Sequence, residues 1–409
     1  MDLEIRPVTA DEVPAFVRAE HVPFGIRADE GTIDDVAGLV ELDRTLAVVD
    51  GSAFVATAAA LSLEVTVPGP RLLPAAGITA VAVLPTHRRR GLLTLLMGRL
   101  LEDARRRGEP VAVLIASEAT IYGRFGFGVA TSGLAVRVDP RRAPFGRVPD
   151  GRGRVRLLDP DEMAGVLPAV HDRFRRIQPG EVTRPPGWWK AWLRDPEDDR
   201  DGASPHFAVV HEGDGGPDAY AAYRVKESWS PAAEPGHELR VEEVIASEPE
   251  AEAALWRYVL DVDLVRTVTA ANLPPDLPLR WLLGDPRAVA VEALHDRLWV
   301  RLLDLPAALC ARRYPVRDAL VLEVVDPTLP ESTRRWRFDA GPEGAECRPT
   351  DADADLALDV ADLGTCWMGG APMSALARAG RVVEGTPGAV RRGDALFAVD
   401  RPPWCATAF

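Results

Sequence analysis

Ala80-Val81-Ala82-Val83-Leu84-Pro85-Thr86-His87-Arg88-Arg89-Arg90-Gly91-Leu92-Leu93-Thr94 decides how this chain folds. Its apolar first half reads as a buried strand that stops at Pro85, a residue with no N–H to give a ladder. From 92 to 107 the positions Leu92, Leu93, Leu96, Met97, Leu100 and Leu101 recur at helical spacing, and Gly108 is a natural stop. A strand, a short basic loop and a helix start form an anion site, because free backbone N–H groups and the positive end of the helix dipole converge there. Gly91 lets a ligand approach the backbone closely, and Arg88, Arg89 and Arg90 carry charge suited to phosphate. Three arginines alone would read as a solvated turn; the whole pattern favours a diphosphate.

Upstream, residues 3–8 read as a strand, a helix starts with Asp11 as N-cap, and a second helix begins near Thr32. Strands follow at 45–49, 53–67 and 78–84, and a buried strand at 111–115 comes after the long helix. The order is β-α-α-β-β-β-α-β-α-β. Residues 140–153, dense in Pro, Gly and Arg, read as a linker. A second segment repeats the pattern: strand 155–158, an Asp-started helix 161–176, a hairpin of 207–210 and 218–225 around 213–216, strand 238–245 and helix 248–260. A third segment carries strands at 298–303, 319–325 and 335–338 and helices at 360–365 and 372–379. Asp351, Asp353 and Asp355 alternate with small residues there. They read as a solvated turn rather than a metal loop, since the glycine and glutamate of a calcium loop are missing.

The chain of 409 residues fits two or three domains. With 47% hydrophobic and 27% charged residues it has the composition of a soluble globular protein with no bilayer-crossing run. The N-terminal residues, acidic and alternating, do not resemble a secretion signal. A net charge of −14 argues against nucleic-acid binding and suits cationic substrates, although solubility alone accounts for it. Cys310, Cys347, Cys366 and Cys405 form no C-x-x-C pair, so neither structural zinc nor a disulfide framework is indicated and a cytoplasmic location is expected.

Arg88-x-x-Gly91-x-Leu93 resembles the acetyl-CoA pyrophosphate loop of the GNAT superfamily, with Leu93 where a small residue is usual. The longer run 83–93 resembles the Eis (enhanced intracellular survival) branch, in which a bulky residue stands there. Ala116-Ser117-Glu118, Ile121-Tyr122-Gly123-Arg124-Phe125-Gly126-Phe127-Gly128 and the end of the chain, Trp404-Cys405-Ala406-Thr407-Ala408-Phe409, agree with that branch. The resemblance implies a mixed α/β fold with tandem GNAT-like domains and a C-terminal sterol-carrier-protein-like domain. The expected limits are 1–145 for an acetyl-CoA-binding GNAT domain, 150–295 for a degenerate copy, and 296–409 for the last domain. In the degenerate copy the run Ala246-Ser247-Glu248-Pro249-Glu250-Ala251-Glu252 has glutamates where the first copy has arginines, and these would repel a pyrophosphate. One acetyl-CoA site per chain follows.

Val81, Ala82 and Val83 are expected to line the pantetheine, and a backbone N–H at Val81 or Val83 to polarise the thioester. Arg88, Arg89, Arg90, Gly91, Leu92, Leu93 and Thr94 would hold the phosphates, with Ser117 and Glu118 beside them. The resemblance makes Tyr122 the general acid, since a phenol can protonate a departing thiolate, and makes the C-terminal carboxylate of Phe409 the general base. Trp404, Phe409 and Pro402-Pro403 fit a docked tail rather than a frayed one. Glu118, His87 and His21 are alternative bases. The acceptor implied is an amine of an aminoglycoside-type molecule or a lysine side chain, received around residues 24–30 and near the terminus, where Ala408 brings no extra carboxylate. The resemblance also implies a homohexamer. No metal, membrane or nucleic acid is expected. The competing readings are a hydrophobic-ligand carrier, resting on the C-terminal third, and a non-catalytic CoA-binding protein.

Overall fold

The computed structural model describes residues 3–146, 149, 151 and 153–409. Positions 147, 148, 150 and 152 of the expected linker, and the first two of the chain, lie outside the described residues. The first segment supplies β1 (Leu3–Arg6), α1 (Val13–His21), α2 (Glu30–Ala37), β2 (Thr45–Asp50), β3 (Ala53–Val67), β4 (Arg71–Val83), α3 (Leu92–Arg106), β5 (Val111–Ile115), α4 (Ala119–Tyr122) and β6 (Gly128–Val129). This is the order read from the sequence. The next elements are β7 (Ser132–Val138), β8 (Arg154–Leu157), α5 (Pro160–Arg175), α6 (Pro186–Arg194), β9 (Phe207–Gly213), β10 (Gly216–Lys226), β11 (His237–Ala246), α7 (Pro249–Leu260), β12 (Val265–Leu273), α8 (Leu279–Leu282), β13 (Val289–Asp296) and β14 (Leu298–Leu302). The remainder comprises α9 (Leu305–Ala311), β15 (Asp318–Val325), β16 (Arg334–Gly341), β17 (Gly344–Pro349), β18 (Leu356–Asp359), α10 (Val360–Met368), α11 (Met373–Arg378), β19 (Val382–Glu384) and α12 (Ala389–Phe397).

The first sheet has the order β1-β2-β3-β4-β5-β14-β6, and the second, read from its far edge, β8-β9-β10-β11-β12-β7-β13. The two orders superimpose strand for strand, so the chain holds two copies of one architecture. Each copy contains one parallel pair, β4/β5 and β11/β12, whose two strands are joined through a helix, α3 and α7. The copies exchange a strand: β7 pairs with β12 and β13 of the second sheet, and β14 sits between β5 and β6 of the first. The stretch 298–303, expected in the third segment, is therefore part of the first sheet. Its residues Leu298, Val300 and Leu302 join Val111 and Val113 in a core that continues into the last domain. The third sheet, β17-β16-β15-β18-β19, packs against α9 to α12. Its interior is filled: Trp367 and Phe338 are buried, and the Arg312 guanidinium lies 4.6 Å from the Tyr314 ring and 5.4 Å from that of Phe397.

Helix starts needed correction. Thr9, not Asp11, precedes a 3-10 turn at Ala10–Glu12, and Glu12 reaches back to the Thr9 N–H at 3.0 Å. Asp29 caps α2, accepting from the Thr32 N–H at 2.7 Å, so the helix begins two residues before Thr32. Asp159, not Asp161, caps α5 in a box with Glu162. β4 begins at Arg71 rather than 78: Pro74 lies one residue before β5 pairs with β4, where no ladder partner is lost. The short helix α6, rich in Trp, was not expected, although Trp188, Trp189, Trp192 and Leu193 recur at helical spacing. Asp355 accepts from the Val321 N–H at 2.8 Å and Asp353 pairs with Arg335 at 3.4 Å, both turn-stabilising roles.

Candidate functional site

β4 and β5 run together for three residues only, Ala75 with Val111, Ala76 with Ala112 and Gly77 with Val113. Beyond Gly77, β4 stays on β3 as far as Val83 opposite Ala56, while β5 stays on β14. The parallel pair thus opens into a fork, and the edge of β4 that carries Val81, Ala82 and Val83 has no neighbouring strand. A bulge helps it diverge: the register slips between Thr57 and Ala59, Ala80 takes a φ of 52°, and the Thr57 hydroxyl donates to the Ala80 carbonyl at 2.9 Å.

After β4 the chain makes a 3-10 turn, Pro85–His87, and passes through Arg89 and Gly91 with φ of 63° and 78° before entering α3. No side chain caps α3, so its first N–H groups remain available to a ligand. A Cβ at Gly91 would meet nothing, which leaves open space above the helix start; the backbone angle is what requires glycine there. The loop and the fork share a cleft of about 650 Å³. It is lined by Val81, Ala82, Val83, Arg88, Arg89, Gly91, Leu92, Leu93 and Thr94 from the β4–α3 side. Ser117, Glu118 and Tyr122 close it from the β5–α4 side. Of the cofactor-binding residues expected, only Arg90 is absent from the lining; its guanidinium turns back to the Thr86 carbonyl at 3.3 Å. Arg124, Ile121, Pro23 and Phe24 also line the cleft. Phe24 is the single member of the expected acceptor stretch 24–30 that does so.

Tyr122 ends α4 and is buried, its ring edge-on to Phe127 at 6.2 Å. Burial raises its pKa above the ordinary tyrosine value, reinforced by the Glu118 charge and partly offset by a hydrogen bond with Ser117. His87 is held by neighbours, with Nδ1 2.8 Å from the Thr86 hydroxyl and Nε2 3.4 Å from Asp50. His21 accompanies the Val17 carbonyl at 3.0 Å and Glu20 at 2.8 Å and does not line the cleft.

Phe409 does not line this cleft. Its ring lies 3.2 Å from where a Cβ on Gly77 would stand, at the crotch of the fork. The tail leading to it is anchored throughout. Trp404 is buried, donates its indole N–H to Asn272 at 3.2 Å, and packs edge-on to Phe174. Asn272 donates to the Cys405 carbonyl at 3.0 Å. Glu181 accepts from the Ala406 N–H at 2.7 Å and from the Thr407 hydroxyl at 2.5 Å. Arg184 donates to the Thr407 hydroxyl at 2.8 Å and forms a bidentate pair with Glu243, which also accepts from Tyr220. Trp188 donates to the Ala408 carbonyl at 2.6 Å. Asn272 and Glu243 flank the place where β11 and β12 part after Val241 and Ala270, so the tail crosses the equivalent fork of the second copy.

Glu181 is fully buried. Burial alone would raise its pKa, yet the adjacent His171, the Arg184 charge and the Thr407 hydroxyl hold it below the ordinary carboxylate range. His171 stands 3.6 Å away, and burial lowers its own pKa. Glu181, Arg184 and Trp188 were not read from the sequence. Their partners in the tail lie 220 or more residues downstream, and nothing local marks them. A larger cavity of about 770 Å³ between α5 and α6 shares no lining residue with the cleft and lacks both a forked strand pair and a glycine-led helix start.

In the second copy, α7 starts with Glu248 at its N-cap and Glu250 and Glu252 in its first turn. Burial raises the Glu252 pKa to about 7. Among the described residues no group of His, Cys, Asp and Glu is arranged to hold a metal, and no helix is long and apolar enough to cross a membrane.

Residues 4–130 match the model of an acetyltransferase (GNAT) domain, 180–317 a second acetyltransferase (GNAT) domain, and 305–406 a sterol carrier protein domain. An uncharacterized N-acetyltransferase of Streptomyces avermitilis is 44% identical over 91% of this chain and 90% of its own length. The N-acetyltransferase Eis of Mycobacterium tuberculosis is 38% identical over 91% of this chain and 90% of its own. The crystal structure of Eis1 from Mycobacterium abscessus superimposes with a TM-score of 0.85 at 36% identity, covering both chains completely. GNAT domains use acetyl-CoA as co-substrate, and the open strand edge, free helix start and arginine loop suit its pantetheine and phosphates. With the forked sheet, the glycine-led helix start and these relatives together, the chain belongs to the Eis family of GNAT N-acetyltransferases.

Proposed function

We propose that the chain moves an acetyl group from acetyl-CoA to a primary amine of a cationic small molecule, of aminoglycoside type, or of a lysine side chain. Tyr122 is the general acid and the carboxylate of Phe409 the general base. The thioester supplies the activated acetyl group. Arg88 and Arg89 with the N–H groups of Leu92 to Thr94 hold the phosphates, and the free edge at Val81 to Val83 aligns the pantetheine. Tyr122, like any tyrosine, keeps its proton at neutral pH, burial raises its pKa further, and it is able to protonate the departing thiolate. The observation that carries the reading is the Phe409 ring at Gly77, which brings the end of a fully anchored tail to the crotch of the fork. A carboxylate near the fork would be able to accept the proton of an incoming amine. The net charge of −14 favours a cationic acceptor, and Phe24 at the cleft is available to contact it.

The functional units proposed are 1–145, 150–295 and 296–409, knit together by the exchanged strands, in a cytoplasmic homo-oligomer. The edge strand β13 exposes Val291 and Leu294, and Trp281 is 77% exposed; exposed apolar residues of this kind suit self-association. A hydrophobic-ligand carrier finds no support in the filled interior of the last domain.

The deciding experiment is CoA-thiol release from acetyl-CoA with a panel of aminoglycosides, polyamines and lysine peptides, on the full chain and on a variant lacking Phe409. Amine-dependent release that collapses on deletion supports the transferase with its terminal base. Release that survives deletion keeps the enzyme and removes the base.

A further inference from the structure

We infer that Glu181 is the positioning residue for the C-terminal tail: its buried carboxylate clamps Ala406 and Thr407 and thereby sets where Phe409 stands. The proposal rests on the reading of Phe409 as base, but the clamp itself is read from geometry. Glu181 Oε2 takes the Ala406 N–H at 2.7 Å, and Oε1 takes the Thr407 hydroxyl at 2.5 Å and, at 3.4 Å, its N–H. A fully buried carboxylate has no water to fall back on, so it binds to the donors that reach it, and here most of them come from the tail. The Thr407 hydroxyl is fixed from its other side by Arg184, whose guanidinium is itself oriented by Glu243 and by the Trp188 ring at 4.1 Å.

The clamp is tied directly to the fork. Gly180 donates to the Thr66 carbonyl at 2.8 Å, Thr66 donates to the Glu181 carbonyl at 2.9 Å, and Thr183 donates to the Glu64 carbonyl at 3.0 Å. Residues 180–183 are thus laced to β3, and β3 carries Leu61 opposite Gly77 and Leu63 against it. Tail, clamp and fork form one connected unit, in which a loosened grip at Ala406 and Thr407 moves Phe409 relative to Gly77. A carboxylate is needed because every tail group at its oxygens is a donor. An amide in its place would present an NH₂ to another donor.

The test uses the full chain with Glu181→Gln, Glu181→Asp and Thr407→Val. The last removes the clamped hydroxyl without touching Glu181 and serves if the buried substitutions impair folding. Amide hydrogen exchange at residues 404–409 is read beside kcat and the KM for acetyl-CoA. Expected for Glu181→Gln and Thr407→Val are exchange at 406–407 at least tenfold faster and kcat down about tenfold or more, with the KM for acetyl-CoA unchanged because the cleft is untouched. Glu181→Asp keeps the charge and should recover part of both. Unchanged exchange in folded Glu181→Gln overturns the clamp, and faster exchange with full kcat overturns its positioning role. If deletion of Phe409 itself leaves kcat intact, the base reading falls; faster tail exchange in Glu181→Gln then still supports the clamp, and unchanged exchange overturns it.

Discussion

Tyr122 and Gly91 make the sharpest claims on single side chains. Tyr122→Phe removes one hydroxyl from a buried ring without changing its packing, so kcat should fall by about 10²–10⁴-fold while the KM for acetyl-CoA stays put. A pKa raised above the ordinary tyrosine value also predicts a pH profile: any alkaline loss of rate from this group should begin at higher pH than for an ordinary tyrosine. Stopped-time assays across pH 6–10.5 on both proteins check this. Gly91→Ala places a Cβ on a φ of 78°, costing about 1–2 kcal/mol by thermal unfolding, and crowds the helix start so that the KM for acetyl-CoA rises. Most residues of the cleft were legible because Val81 to Thr94 and Ser117 to Tyr122 are each continuous in sequence and carry their chemistry locally. Glu181 was not. Its role exists only where a stretch 225 residues further on folds back against it.

Among the elements, α3 concentrates the consequences of an uncapped start. Arg88→Ala with Arg89→Ala leaves the helix N–H groups but removes two charges, so the KM for acetyl-CoA should rise about tenfold and lose most of its dependence on salt, with kcat retained. Kinetics at two ionic strengths decide it. The helices α1, α2 and α5 were foreseen, but their first residues were displaced, because Thr9, Asp29 and Asp159 cap where later acids had seemed as suitable. Capping depends on which side chain reaches a free N–H, and a run of acids offers several. α6 was not foreseen although its apolar residues recur at helical spacing; the use its tryptophans find, against the tail and the neighbouring helix, is set by tertiary contacts. Its segment also bears on pH. Glu181 has a folded pKa below its unfolded value, so its contribution is present above the ordinary glutamate value and is lost as pH falls through the lower, folded one. Tail protection in hydrogen exchange should therefore persist at pH 5 and fade only well below 4.5.

At the level of the whole molecule the strand exchange dominates. The repeat was legible from the recurring strand and helix order. The crossing of β7 and β14 was not, because 298–302 is an apolar strand that would fit any of the three sheets equally well by pattern. A fragment of residues 1–145 lacks β14 and leaves β5 and β6 unjoined; it should be insoluble or disordered by circular dichroism, where the full chain is not. Replacing Trp281 and Leu294 by Glu should shift the mass measured by light scattering toward that of one chain, with the fold retained.

The exchange also sets a timetable for birth at the ribosome. The first copy emerges early but cannot close, because the strand that joins β5 to β6 is roughly 170 residues behind, a wait of about 10–30 s at ordinary elongation speeds. Through that interval the nascent chain exposes an unpaired strand edge on one copy while it builds the other. Until β14 arrives, that edge is open to wrong partners in a way that two self-contained halves would not be.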